Sequence, residues 1–158
     1  MKKNNNIIHA IKKTLQKVHN KKCKSQTEWT AEFKKALYNL GKKKYKVYPD
    51  ANKFEGEWLF DLCWADEGKN WRTEFKGLKL ACEIEWSRNI DDILHDFQKL
   101  TVVNSEIRLM IIQYNNKKEF ENFLEAIRNA SEYAKSIKYN YLIAASGNYE
   151  DEIKIIEL

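Results

Sequence analysis

The stretch LKLACEIEW, residues 78–86, reads as a β-strand that carries two glutamates on one face. Successive strand side chains point to opposite faces, so Lys79, Ala81, Glu83 and Glu85 share one side while Leu78, Leu80, Cys82 and Ile84 share the other. Two carboxylates spaced two residues apart on a half-buried strand repel each other. That arrangement is stable only with a cation or a wet cleft in front of it.

The elements on either side extend the pattern. GEWLFDLCWAD (56–66) is expected to be an aromatic-rich strand, joined to 78–86 by a charged loop containing DEGKN, and YKVY (45–48) is expected to be a short strand before it. Residues 5–19 and 27–40 have helical spacing, on Ile7, Ile8, Ile11, Leu15 and Val18 and on Trp29, Phe33, Ala36, Leu37 and Leu40. Thr27 is expected to cap the second helix and Gly41 to follow its end. Downstream, residues 89–103 predict a helix on Ile90, Ile93, Leu94, Phe97 and Leu100, and IRLMIIQY (107–114) a strand covered on both faces. Another helix is expected over 117–136, on Phe120, Phe123, Leu124, Ile127 and Ala134, and then strands at YLIAAS and IKIIEL. The order α, α, β, β, β, α, β, α, β, β implies an α/β protein with a mixed sheet flanked by helices.

A chain of 158 residues is expected to form one domain. Its 43% apolar and 32% charged residues and its single proline, Pro49, argue against disorder. The absence of an apolar run long enough to span a bilayer, and of a signal-peptide pattern in MKKNNNIIHAIKK, points to a soluble cytoplasmic protein with no membrane partner. Cys23, Cys63 and Cys82 are widely spaced and form no C-x-x-C pair, so they are expected to be reduced and mostly buried. Charge is uneven. Residues 1–48 hold fourteen lysines against Glu28 and Glu32, a balance of +12, while the remainder balances at −7. A lysine-rich segment of this kind either presents a footprint for a polyanion or is simply a solvated face.

Asp61 lies in WLFDLCW, and strict alternation puts it with Leu59 and Cys63, away from Trp58, Phe60, Leu62 and Trp64. If this strand neighbours 78–86, Asp61 and Glu83 come within about 5 Å, the separation of cross-strand pairs. Such a pair of carboxylates suits Mg²⁺ or Mn²⁺, hard ions that take one or two carboxylates with waters and a substrate phosphate. The competing reading pairs each acid with a surface lysine such as Lys76 or Lys79.

FD at 60–61, CEIEW at the end of the next strand, DFQKL at 96–100 and the apolar IRLMIIQ together resemble the PD-(D/E)XK nuclease superfamily over residues 27–115. The resemblance implies the restriction-endonuclease-like αβββαβ core, with residues 1–26 as a basic helical extension and 116–158 adding a helix and strands. It implies that Asp61 and Glu83 are metal ligands, with the Ile84 carbonyl as a further one. Glu85 stands where the signature lysine belongs, an E-x-E variant, and Lys99 or its neighbour Gln98 is the candidate replacement from the following helix. Asp96 would cap or orient the cluster, and Glu32, or Glu28, matches the accessory acid of the preceding helix.

The implied activity is metal-dependent hydrolysis of nucleic acid, as a DNA endonuclease. Glu85 would then bind a second metal, orient water or act as base, Lys99 would stabilise charge, and Lys34, Lys35, Lys42, Lys43 and Lys44 would hold the backbone. A chain this short that cuts both strands implies a homodimer. The alternative is a catalytically inactive nuclease-like module that binds nucleic acid or a protein. His9, His19 and His95 are expected at the surface, Trp58, Trp64 and Trp86 in the core, and Trp71, beside Arg72, is the one candidate for base stacking.

Overall fold

A computed structural model of the protein describes residues 2–49, 59–70, 73–134, 140–147 and 152–158. The first two helices are α1 (Lys2–His19) and α2 (Gln26–Gly41), followed by strands β1 (Lys46–Tyr48), β2 (Leu62–Glu67) and β3 (Phe75–Glu85). Then come α3 (Ile90–Val102), β4 (Ser105–Tyr114), α4 (Lys117–Tyr133), β5 (Asn140–Gly147) and β6 (Lys154–Glu157). The expected α/β class and element order are observed. The six strands form one mixed sheet in chain order, with β1–β2, β2–β3 and β5–β6 antiparallel and β3–β4 and β4–β5 parallel. The parallel pairs are those whose connections are helices, as a crossover requires.

Helix starts follow local hydrogen bonding. Ser25, not Thr27, caps α2: its hydroxyl accepts from the Glu28 N–H at 3.2 Å, and Glu28 accepts from the Lys24 N–H at 2.7 Å. Ser25 and Glu28 thus satisfy two orphan donors reciprocally. Asn116 and Glu119 repeat the device at α4, and Asn89 caps α3 through the Asp91 N–H.

Two apolar layers enclose the sheet. On one face Ile11, Leu15 and Val18 of α1 and Phe33 and Leu37 of α2 pack on Leu62, Trp64, Leu80, Cys82 and Ile84. On the other, Ile93, Phe97 and Leu100 of α3 and Phe123 and Ile127 of α4 pack on Cys63, Ala81, Met110 and Ile112. β3 is therefore buried on both sides, not half-buried. Burial of both layers is the main driving force for the fold. Trp64 packs closely on the end of α2 because residue 41 is glycine: a Cβ there would stand 2.5 Å from the indole ring. Gly77, at φ +120°, lies where the β2–β3 register shifts between Asp66 and Glu67.

Three expectations change. β2 begins at Leu62, so Asp61 precedes the strand, and residues 56–58 of the expected segment, with Trp58, lie outside the described residues. Phe60 joins Cys63 in the α3-side layer instead of facing with Leu62 and Trp64, because the bend at residues 59–61 breaks the alternation. His19 is buried, not solvent-facing: it stacks on Trp29, and its Nδ1 lies 3.1 Å from the Ser146 hydroxyl. His9 and His95 are exposed, and Trp71 with Arg72 lies outside the described residues. The cysteines are free, with Cys63 and Cys82 buried and Cys23 half-buried. Among the described residues no helix is long and apolar enough to cross a membrane.

Candidate active site

The end of β3 gathers the charged side chains. Glu83 is 2% exposed, an unusual position for a carboxylate. It points toward α3, where the Lys99 ammonium stands 3.1 Å from its Oε1 and 2.7 Å from Asp96 Oδ1. Lys99 and Asp96 are one helical turn apart and face the strand together. The Glu83 Oε1 is buried and is contacted by the Lys99 ammonium, whose hydrogen bond pulls the carboxyl's pKa down.

Asp61 reaches the same strand end from β2. Its Oδ2 accepts the Ile84 N–H at 2.8 Å, and its Oδ1 lies 2.9 Å from the Lys34 ammonium of α2. Strict alternation would have put Asp61 on the α3 face with Glu83. Because it precedes β2, its carboxylate instead lies across the strand end, between a lysine from one helical layer and a glutamate facing the other.

Glu85 belongs to a neighbouring cluster. It accepts the Ser87 N–H at 2.5 Å and shares a hydrogen bond with Asp96, while the Ser87 hydroxyl donates to Asp92 at 2.6 Å.

These arrangements set the ionisation of the site. Burial, opposed by the hydrogen bond and charge of Lys99 and reinforced by the fields of Asp61 and Asp96, holds the Glu83 carboxyl up at about 8. Glu85 is raised by burial and by Asp96, against the Ser87 N–H. Burial pulls the Lys99 ammonium down, but Asp96 and Glu83 outweigh it and hold it above the ordinary lysine value.

A folded-state pKa near 8 against an ordinary 4.5 means that the fold favours protonated Glu83. Its contribution to stability is whole below the ordinary value and is lost as pH rises through about 8. Glu83→Gln, which cannot ionise, is expected to gain stability on wild type by a few kcal/mol between pH 5 and pH 9. Urea unfolding in a chelating buffer measures this, and a gap that stays constant with pH refutes it.

The remaining sequence candidates are dispersed. Lys34 is buried on Asp61 and is not one of the exposed basic residues, whereas Lys35, Lys42, Lys43 and Lys44 are exposed. Gln98 is exposed on α3. Glu32 pairs with Lys21 of the α1–α2 connection, whose hydrogen bond lowers its pKa, and Glu28 is used in the α2 cap. Lys79 pairs with Glu106, so neither Glu83 nor Glu85 takes a partner from its own strand. Sequence reasoning missed Lys34 as a partner of Asp61. The available signal was its place between Phe33 and Leu37, on the buried stripe of α2.

The chain matches no protein-family model, no curated protein and no solved structure.

Among the described residues no three carboxylate, imidazole or thiol groups converge on one ion position. A single pocket formed by Asp61, Glu83 and Glu85 is therefore not observed. Asp61 raises the pKa of Glu83, both raise that of the buried Cys82, and Glu85 turns to Asp96. The Asp61 oxygens are engaged by the Ile84 N–H and Lys34 and Glu83 Oε1 by Lys99, so a hard divalent ion held by these two carboxylates, with water and substrate oxygens completing its shell, would have to displace the lysines.

Proposed function

We propose that the protein is a metal-dependent nuclease that hydrolyses phosphodiester bonds of nucleic acid, with DNA as substrate, on a restriction-endonuclease-like core. The observation that carries this reading is the Lys99 ammonium from α3 standing 3.1 Å from Glu83, since the strand has glutamate at position 85 where the family motif has lysine. The succession α2–β1–β2–β3–α3–β4 supports the same reading, with Asp61 entering β2 and Glu83 near the end of β3.

Asp61 and Glu83 would hold Mg²⁺ or Mn²⁺, with the Ile84 carbonyl as a further ligand. Bound there, the ion supplies Lewis acidity, lowering the pKa of water and polarising a phosphate oxygen. Asp61 is oriented for this by two contacts, the Ile84 N–H and Lys34, so Lys34 acts as a positioning residue. Lys99 carries a positive charge at the Glu83 end of the site, where negative charge builds on the phosphate oxygens. Burial and Asp96 raise the Glu85 pKa, which suits Glu85 to give or take a proton at its carboxyl oxygens. The exposed Lys35, Lys42, Lys43 and Lys44 offer contacts to the backbone of the polymer.

A second reading has its own observation. Both ligand carboxylates already face lysine ammonium groups, Lys34 on Asp61 and Lys99 on Glu83, as a binding module without a metal would require. Relaxation of supercoiled plasmid with Mg²⁺ or Mn²⁺ separates the two. Nicking is expected with wild type, and Asp61→Asn or Glu83→Gln is expected to lower it at least about a hundredfold. Salt-dependent DNA binding with no nicking would assign the chain to the binding class.

A further inference from the structure

Beside the carboxylates lies a groove of about 470 Å³ lined by Gln26, Thr27, Thr30, Ala31, Lys34 and Trp86. Thr27, Ala31 and Lys34 recur at spacings of four and three residues, so they share one face of α2, and Trp86 forms the opposite wall directly after Glu85. We propose that this groove seats one unstacked nucleotide of the substrate strand, its base against the Trp86 indole, and that the substrate class is nucleic acid with an unpaired base beside the cut.

Three observations carry the proposal. The first is continuity with the candidate site: the groove ends at Lys34, whose ammonium is 2.9 Å from Asp61, so whatever fills it adjoins the group placed at the scissile phosphate. The second is its chemistry. No acid lines the groove; Lys34 is committed to Asp61 and the Thr30 hydroxyl to the Trp86 N–H and the Gln26 carbonyl, while the Thr27 hydroxyl and the Gln26 amide offer donors and acceptors to a base edge.

The third is the fixation of Trp86. Its indole N–H donates to Thr30 Oγ1 at 2.7 Å, its carbonyl accepts from the Gln113 amide, and Phe33 packs with ring centroids 6.2 Å apart. A ring held in this way is an ordered stacking platform, and the groove volume is that of a small-ligand site. A base inside a duplex has both faces covered by its neighbours, so only a base out of the stack can lie on this indole.

The inference rests on the nuclease reading for the identity of the polymer, but binding tests it apart from cleavage. The probe is a short single-stranded DNA with one central 2-aminopurine, compared with its fully paired duplex, in a chelating buffer. Wild type is expected to bind the single strand more tightly than the duplex and to quench the 2-aminopurine. Ala31→Trp, which fills the groove from an exposed helical position, is expected to lose the quenching and about 5- to 150-fold in affinity, the range for one stacked base.

Trp86→Ala should match it, and Ala31→Trp keeps the test valid should Trp86→Ala fail to fold. Glu125→Gln, exposed on α4, is the control expected to behave as wild type. Equal affinity for the two DNA forms, or quenching that survives Ala31→Trp, overturns the groove assignment whatever the cleavage result. Quenching without cleavage in Mg²⁺ or Mn²⁺ overturns the hydrolase reading and leaves the groove assignment standing.

Discussion

Replacing Lys34 with methionine is expected to destabilise the protein by about 3 kcal/mol, at the low end of the range for breaking a buried ion pair. The lysine side chain is 9% exposed and its ammonium is 2.9 Å from Asp61. Methionine keeps most of the volume but leaves the Asp61 charge with only the Ile84 N–H beside it. The low end applies because the Asp61 side chain retains 20% exposure and with it some hydration. If the cost comes from the stranded charge, Lys34→Met with Asp61→Asn should be more stable than Lys34→Met alone. A double-mutant cycle by urea unfolding measures this coupling. A single-variant cost below about 1 kcal/mol, as for a surface pair, would mean that the two charges are not isolated from water.

Arg108→Met is expected to cost more, about 3–5 kcal/mol. Arg108 is 1% exposed in β4, yet its partners at the end of α3 are backbone carbonyls: Nε donates to the Leu100 carbonyl at 2.6 Å and the guanidinium also donates to the Val103 carbonyl. These belong to the last turn and C-cap of α3, where carbonyls have no partner within the helix and a cation is favoured by the helix dipole. The guanidinium also lies over the Tyr141 ring, 5.3 Å from its centroid. Methionine fills part of the space but leaves the two carbonyls without these donors. Arg108→Lys should recover little, because one ammonium cannot reproduce a planar fork. Denaturant midpoints check the order, and hydrogen exchange in α3 should rise with the loss, since the Leu100 amide region loses its anchor.

Much of the architecture was legible because periodicity is a direct record of burial. The apolar spacing of 117–136 and of 89–103 marked α4 and α3 to within a few residues, and the unbroken run at 107–114 marked a strand covered on both sides. The bend at Leu59–Asp61 was not legible. WLF looks like continued strand, but Leu59 is 67% exposed and Phe60 turns to the opposite layer, which only the tertiary arrangement decides. The α2 cap was misplaced for a similar reason, since Ser25 and Thr27 are both competent and only the first helical turn selects between them.

At the candidate site, Lys99 was named only through the family resemblance, with Gln98 as its alternative, and the contact of Lys99 with Glu83 depends on how α3 packs on β3. Nor could the division between Glu83 and Glu85 be read from the sequence. Their spacing gives a shared face, but the turn at Ser87 and the position of Asp96 draw Glu85 into another cluster. Arg108 was not singled out within the apolar run 107–114, and its carbonyl partners at the end of α3 come from the tertiary packing.

Because the strands pair in the order in which they are made, a chain emerging from the ribosome can extend the sheet one edge at a time, without inserting a late strand between earlier ones. The first helix is the exception to this vectorial growth. Lys12 meets Glu157 at 2.5 Å, Gln16 accepts the Ile153 N–H at 3.2 Å, and His19 meets Ser146, all on segments made after β4 and α4. The apolar stripe of α1 therefore keeps part of its surface uncovered until β5 and the segment before β6 have been made, and a chain stalled before that point would expose it to chaperones.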